Sequence, residues 1–386
     1  MNVEITLITH VFIGGGGFSV LSPYVDFVVR GRYVELVERD KLLNLFSSPQ
    51  WMDRYKSFLN QNWRNNRFSK TLQDFLRENK IPVDKVLSGR KIAVEGDIKG
   101  REVSLFSASV GRSYIPGSTI KGSIRTALCY AYIDRKGADA KRRIMGNILR
   151  VKTNGIKRFS PKSAFPTLVG GDVGPKFRAH DDPLKLLQVS DTTFFSEDEM
   201  IILNAYVLRM NKPAEVEGTP VVYEVARKGA KVRARIKIAK AFARGSFQDG
   251  FWDFLLRGDY CKLFRYINAF SLDFVKCERR RLSKFRGSVP TMLAKFYEKL
   301  EKKIESGSKT GKVAYMMVGR GTTLFGKTVD NIFTEEELQR LREAFKGLRN
   351  FGWKNGKLVN PFPITRLVPE TNPVPFGWIE VRAIGV

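Results

Sequence analysis

Tyr114-Ile115-Pro116-Gly117-Ser118-Thr119-Ile120-Lys121-Gly122-Ser123-Ile124-Arg125 is the stretch on which the reading of this chain turns. The residues before it, Glu102–Val110, predict a strand. Pro116 and Gly117 end that strand, and Ser118 is placed to cap a helix running to about Arg135. Free backbone N–H groups at such a helix start form an anion site. Lys121 and Arg125, one turn apart, fall on one helical face. The plainer reading is an ordinary capped helix, and spacing alone does not separate the two.

Upstream, Val3–Ile13 is β-rich and stops at Gly14-Gly15-Gly16-Gly17. Tyr24 to Val37 predicts two short strands turned at Arg30-Gly31-Arg32. From Asp40 to about Asn79 the period becomes helical, with Trp51, Phe58, Trp63, Phe68 and Phe75 among basic residues, and this reads as an inserted helical lobe. The aromatics around Trp63 could stack bases but are better read as packing inside the lobe. Downstream, Ala138 to His180, rich in Lys, Arg, Gly and Pro, is expected to be a long loop. Leu184–Phe195 and Ile201–Met210 predict strands, and Thr219–Ala226 with Lys231–Lys240 predicts a hairpin turned at Lys228-Gly229-Ala230. Gln248 to Ser306 is mainly helical, Lys312–Val318 is a strand, and Glu335–Phe345 is a helix opened by the capping box Thr334-x-x-Glu337. An extended segment, Phe376–Ile384, closes the chain.

At 386 residues two domains are the default expectation, and 43% hydrophobic with 12% aromatic residues is enough to fill a core in each. The net charge is +28 and the sequence pI about 10.1. Such a surplus opposes a compact fold unless a polyanion neutralises it, and nucleic acid leads an anionic membrane as that partner. A heat-adapted surface accounts for many Lys and Glu residues but not for their imbalance. Cys129, Cys261 and Cys277 are odd in number and far apart, which argues against a disulfide framework and a structural zinc site. With His10 and His180 the only histidines, no metal and no cofactor is expected. The residues from Met1 to Thr6 carry no secretion leader and no apolar run reaches membrane length, so a cytoplasmic protein is expected.

Lys231-Val232-Arg233-Ala234-Arg235-Ile236-Lys237-Ile238 alternates strictly and puts Lys231, Arg233, Arg235 and Lys237 on one face. Same-face residues lie roughly 6.8 Å apart, near the phosphate spacing of a single strand, and such a row would track a backbone without reading bases. The bland alternative is a solvated sheet face. Gly321-Thr322-Thr323-Leu324-Phe325-Gly326-Lys327-Thr328 fits the P-loop pattern. A P-loop needs a helix at once and a parallel sheet, with Leu187-Gln188-Val189-Ser190-Asp191 the one Walker-B-like run, so an ATPase is disfavoured. That loop is read instead as offering backbone amides and Lys327 to phosphates. The clusters Lys141-Arg142-Arg143 and Arg279-Arg280-Arg281 read equally well as solvated helix ends. For catalysis, His180-Asp181-Asp182 and Asp26 are the nearest candidates, and neither is favoured.

Taken together, Ile115–Arg125 resembles the I-P-G-S-S-L-K-G-x-x-R motif of the RAMP superfamily, the repeat-associated RNA-binding proteins of CRISPR systems. His10-Val11-Phe12-Ile13-Gly14-Gly15-Gly16 is similar to that family's opening, with His10 where a Pro is more usual. Gly319-Arg320-Gly321-Thr322-Thr323 resembles its C-terminal glycine-rich loop. Pro363-Ile364-Thr365-Arg366 and Pro375-Phe376-Gly377-Trp378 resemble the ending of the branch that supplies the fifth subunit of type III-A (Csm) effector complexes. The resemblance implies an α+β fold of two ferredoxin-like, RRM-related RAMP domains. These are expected over 1–195, with the helical insertion at about 40–100, and over 196–386, with a glycine-rich loop at 319–326. It implies a non-catalytic subunit that caps the complex, holds the 3′ portion of the crRNA, and supports crRNA maturation and antiviral defence. The RNA contacts expected are Gly14, Gly15 and Gly16, then Ser118, Thr119, Lys121 and Arg125, the row from Lys231 to Lys237, and Arg320 with Lys327. Partners implied are crRNA, target RNA, a neighbouring backbone RAMP subunit, the small helical subunit and host nucleases. The rivals are another RAMP subunit of a type III complex, a crRNA-processing endoribonuclease and a P-loop NTPase.

Overall fold

Alternation sets the first strand, β1 (Asn2–Leu7): Val3, Ile5 and Leu7 are buried, and Asn2, Glu4 and Thr6 take the opposite face. The computed structural model describes residues 1–15, 20–64, 67–98, 100–153, 182–209, 215–239, 250–344, 353–358 and 365–385. Strands β2 (Val20–Leu21), β3 (Phe27–Arg30) and β4 (Tyr33–Val37) follow, then helices α1 (Arg39–Phe46), α2 (Pro49–Asn62) and α3 (Leu72–Glu78). Next come β5 (Leu87–Glu95), β6 (Val103–Ser104), β7 (Ala108–Ser109), β8 (Arg112–Ser113) and the long helix α4 (Gly117–Thr153). Strands β9 (Leu187–Val189), β10 (Met200–Arg209), β11 (Glu215–Ala226) and β12 (Lys231–Ile238) lead to α5 (Tyr260–Leu282) and α6 (Ser288–Thr310). The chain then adds β13 (Val313–Met317), α7 (Glu335–Ala344), β14 (Thr365–Pro369) and β15 (Trp378–Ile384).

Two sheets organise these elements. One is antiparallel throughout, in the order β9-β12-β1-β15-β13. The other runs β2-β6-β11-β10-β5-β4-β3, with β14 beside β10, and is mixed because β10–β5 and β11–β6 are parallel. The fold is α+β. The main core joins Val3, Ile5, Val232 and Ile379 of the first sheet, Ile201, Leu203 and Tyr223 of the second, and the α4 residues Ile120, Ile124 and Leu128. A second core packs Phe274, Tyr297, Leu300 and Ile304 of α5 and α6 on Tyr315, Met317 and Trp378. A third fills the helical lobe with Phe46, Tyr55, Phe58, Leu72 and Phe75. Strand β13 is the edge of its sheet, and α5 blocks it: Asn268 donates to the Val313 carbonyl and accepts the Tyr315 amide, and Ser271 donates to the Tyr315 carbonyl.

Several sequence expectations are corrected. The hairpin expected across Lys228–Ala230 does not form; the turn passes the chain from one sheet to the other. Strand β11 pairs with β10, while the Leu7 amide donates to Ala230 and β1 takes β12. Residues 138–153, expected as loop, are helical beyond a break at Gly137 (φ +71°, ψ −154°), with Ala140 and Ile144 buried in the main core. The remainder of that loop, including His180, lies outside the described residues, as does Asp181. The strand expected over Glu102–Val110 is interrupted, because Phe106 turns its amide to the buried Glu224 carboxylate at 3.0 Å. A cut between residues 195 and 196 passes through both sheets, each of which takes strands from either side. The helices of the lobe end at Glu78, and β5 returns the chain to the larger sheet.

Candidate nucleic-acid interface

Three glycine-bearing segments converge at one end of the five-stranded sheet, where β1 and β13 finish and β15 begins. The Gly377 amide donates to the His10 carbonyl at 2.8 Å, Val318 to Gly377 at 2.8 Å, and Arg320 to Phe12 at 2.8 Å. Trp378 donates to the Thr9 hydroxyl at 3.0 Å. Here a side chain does not fit. A Cβ on Gly319 (φ +72°) would stand 2.1 Å from the Phe12 carbonyl oxygen. A Cβ on Gly377 (φ +89°) would stand 2.4 Å from that of Val318. These glycines are thus required by backbone crossing. Gly14 forms an isolated bridge to Phe106, Gly15 is exposed, and Gly16 lies outside the described residues.

The helix start is not the open anion site expected. Pro116 supplies the cap carbonyl, accepting Thr119 at 2.9 Å, so Ser118 lies inside the first turn, exposed. The Gly117 amide donates to Asp191 Oδ1 at 2.7 Å, placing a carboxylate of the chain where the helix dipole attracts one. Thr192 and Ile115 exchange two further bonds beside it, Ile115 donating to the Thr192 hydroxyl at 2.9 Å. A Cβ on Gly117 would meet the Val189 carbonyl oxygen at 2.3 Å, which fixes glycine there as well. Arg125 is ion-paired with Asp182, whose other oxygen accepts the Leu184 amide at 2.9 Å. Burial and the Arg125 charge lower the pKa of Lys121. Ser123 ties α4 to the sheet by donating to the Met317 carbonyl at 2.7 Å.

The basic row takes the expected form. Along β12 the side chains of Lys231, Arg233, Arg235 and Lys237 are exposed, while Val232, Ala234, Ile236 and Ile238 are buried. Its outer edge is closed by the Ser190–Thr193 segment: the Arg235 amide donates to the Ser190 hydroxyl at 2.9 Å and Arg233 to that of Thr193 at 3.0 Å. The face is not wholly basic, which the strand alone could not reveal. Glu4 on β1 stands opposite Arg233 and lies 3.5 Å from Lys231, and Glu380 on β15 pairs with Arg382 at 2.6 Å. Arg233, Arg235 and Lys237 make no ion pair among the described residues. The row begins beside the glycine junction, since the Lys228 amide donates to His10 Nδ1 at 3.2 Å. At the junction Arg320 lies 5.5 Å above the Tyr223 ring, which packs on Phe12 with centroids 4.3 Å apart. Burial and the nearby Arg320 charge lower the pKa of Lys327.

The other candidates resolve into structure. The P-loop-like run follows an antiparallel edge strand and enters a helix of one turn, Leu324–Lys327, which lacks the architecture of a nucleotide site. Asp191, its Walker-B-like partner, is the cap just described. Asp26 accepts the Ser22 amide at 2.8 Å and pairs with Arg39 at 3.6 Å. Of the arginine cluster ending α5, Arg279 pairs with Glu301 and Arg281 lies 3.8 Å over Phe325. Arg142 pairs with Asp139. Arg366 is buried in a bidentate bond with Glu278, both contacts 2.8 Å; Pro363 and Ile364 beside it lie outside the described residues. Trp51, Phe58 and Phe75 pack within the lobe, whereas Trp63 is exposed. The cysteines are free, and no group of His, Cys, Asp or Glu among the described residues could hold a metal ion. No described helix is long and apolar enough to cross a membrane.

The RAMP superfamily model matches residues 4–353. The CRISPR-system protein Csm5 of Methanocaldococcus jannaschii is 25% identical over 407 residues, covering 100% of this chain and 89% of that one. Among solved structures, a chain of a cryo-EM Csm-crRNA-target RNA ternary complex from a type III-A CRISPR-Cas system matches with TM-score 0.76 at 19% identity, covering 99% of this chain and 100% of that one. The crystal structure of T. onnurineus Csm5 matches with TM-score 0.62 at 17% identity, over 97% and 99% of the two chains. These structural likenesses carry the fold.

Proposed function

The chain belongs to the RAMP superfamily, and from that premise we propose that it is a non-catalytic RNA-binding subunit of a type III-A (Csm) CRISPR effector complex. In this reading it caps the assembly, holds the 3′ portion of the crRNA, and so supports crRNA maturation and antiviral defence in the cytoplasm. Its partners are then crRNA, target RNA, a neighbouring backbone RAMP subunit and the small helical subunit, with host nucleases recruited to the mature complex. Full-length similarity to a Csm5 protein and to a chain of a Csm-crRNA-target RNA complex supports the assignment.

The observation that carries the reading is the row Arg233, Arg235 and Lys237, exposed and without ion pairs among the described residues, on a sheet face that starts at the glycine junction. Lys231 extends it towards the junction, where Arg320 and Lys327 add charge, and Lys121 adds more beside Arg125 on α4. The hydroxyls of Ser118 and Thr119 and the backbone at Gly14–Gly16 complete the proposed path, with Arg125 shared between RNA and Asp182. The absence of cutting is supported by Asp26 and Asp182, both committed to backbone amides and arginines. Two ferredoxin-like units, each sheet drawing strands from both sides of residue 195, form the architectural part of the proposal; helix-backed sheets support it.

The test is single-stranded RNA binding followed by fluorescence anisotropy across a salt series. Tight binding should weaken with salt, and each of Arg235→Gln and Lys237→Gln should lower the log–log slope by about 0.7. Binding indifferent to salt, or a preference for duplex DNA, overturns the proposal.

A further inference from the structure

The segment that closes the outer edge of β12 carries two consecutive phenylalanines facing opposite ways. Phe195 is buried and meets Phe106 edge-on at 5.8 Å. Phe194 is 40% exposed. Its ring is nevertheless held: the Arg112 guanidinium lies 4.5 Å from its centroid, and the Tyr114 ring stands against it at 6.0 Å and 84°. Both supports come from β8 and the residue after it, fixed alongside because the Phe195 amide donates to the Ser113 carbonyl at 2.9 Å. The β7–β8 hairpin that presents Arg112 ends in Val110, which is 98% exposed at φ +49°. A β-branched residue is a poor choice for that turn, so turn propensity does not explain the apolar tip.

Position gives this cluster its meaning. Thr193, one residue before Phe194, bonds with Arg233 in both directions, its amide donating to the Arg233 carbonyl at 2.8 Å. An open aromatic ring thus stands one residue from the row of cations that make no ion pair among the described residues. Arg112 likewise has no ion pair among the described residues. A lone exposed phenylalanine is ordinary surface. A ring clamped by a guanidinium and a second ring, beside cations at phosphate spacing, is the pairing that single-strand binders use: charge for the backbone and an aromatic face for a base.

We propose that Phe194, braced by Arg112 and Tyr114, is a stacking shelf for one unpaired nucleobase of the RNA strand whose phosphates lie on Arg233 and Arg235. This rests on the reading of the β12 face as an RNA surface, and it assigns a base contact that the basic row does not supply. The shelf takes any base, because every base has a π-face.

The test uses the full chain and an end-labelled single-stranded RNA, with a second copy carrying one 2-aminopurine. Phe194→Leu should weaken binding about 5- to 150-fold, the range for one base–aromatic stack, without changing the salt slope. Phe194→Trp should retain affinity, and bound 2-aminopurine should be quenched by the wild type but not by Phe194→Leu. Arg233→Gln should lower the salt slope by about 0.7. If Phe194→Leu binds within twofold of wild type while Arg233→Gln behaves as stated, the shelf falls and the RNA face stands; a patch that docks a protein would give this result. If the wild-type chain does not bind single-stranded RNA, both fall.

Discussion

Removing the Asp191 carboxylate asks whether the start of α4 is an internal contact or a vacant phosphate site. Asp191 Oδ1 takes the Gly117 amide at 2.7 Å, and Gly117 is buried against Val189 and Ser190. Asp191→Ala leaves that donor unpaired, at about 1–3 kcal/mol, and removes a charge favourable to the helix dipole, at about 0.3–1 kcal/mol. The expected loss is therefore about 1.3–4 kcal/mol. Asp191→Asn keeps an acceptor in place and should lose only the charge contribution, below about 1 kcal/mol. Urea unfolding followed by the fluorescence of the buried Trp252 and Trp378 reads both values. RNA affinity, measured alongside, should change little and rise slightly at most, since one negative charge leaves a positive surface. Two results would refute the reasoning. One is Asp191→Ala unfolding at the wild-type urea concentration. The other is a tenfold or greater gain in RNA affinity, which would mean that the vacated helix end takes a phosphate.

Further outcomes follow from contacts elsewhere. Arg366→Met takes both bidentate bonds from the buried Glu278 carboxylate, leaving it Arg281 at 3.3 Å, and should cost up to about 3–5 kcal/mol, whereas Glu278→Leu/Arg366→Met should recover most of it in urea unfolding. Gly319→Ala should cost about 1–2 kcal/mol for its positive φ, plus the displacement of Phe12, while Gly31→Ala, with φ +59° and open space around it, should show the conformational cost alone. His10 is pushed down to about 4 by burial and by Arg227 and Lys228. Because its folded pKa lies below the unfolded 6.5, the stability tied to its neutral form is complete above pH 6.5 and drains away as pH falls towards 4. The loss is up to about 3 kcal/mol. His10→Asn should flatten that part of the pH–stability curve, and an unchanged curve would exclude the contribution.

Alternation on β1 and β12, the capping box at Thr334 and Glu337, and the helices from Tyr260 to Thr310 were legible because each is written within one turn or one strand. Pairing was not. The Lys228–Ala230 turn carries the local marks of a hairpin, yet β12 lies against β1, more than 220 residues away in sequence. Periodicity says which face is buried, not which strand lies alongside. The helix after Gly137 is hidden for a related reason: Ala140 and Ile144 form a short apolar stripe that basic and glycine residues obscure. Asp191 was in view only as a Walker-like aspartate, and no local signal could reveal an amide 74 positions upstream. Leu184–Phe195 reads as a strand, with no sign that the Phe194 ring is exposed one residue after the Thr193 that bonds Arg233.

The glycines and the basic row therefore divide the work differently from the way the motif suggests. At Gly319 and Gly377 a Cβ would collide with the backbone oxygens of Phe12 and Val318 at the junction, and at Gly117 with that of Val189 at the start of α4, so these positions hold crossing segments together whether or not RNA is present. The amides next to them are spent internally, on Asp191, Phe12 and His10. Little backbone remains at these three positions to grip a phosphate. The free charge lies on side chains, above all Arg233, Arg235 and Lys237, whose removal takes no packing from the core because their faces are already open. Glycine substitutions should consequently lower RNA binding only as far as they unfold the junction. Substitutions on the row should lower it at full stability. A glycine variant that folds like wild type yet loses RNA would show that the backbone at the junction grips phosphate after all.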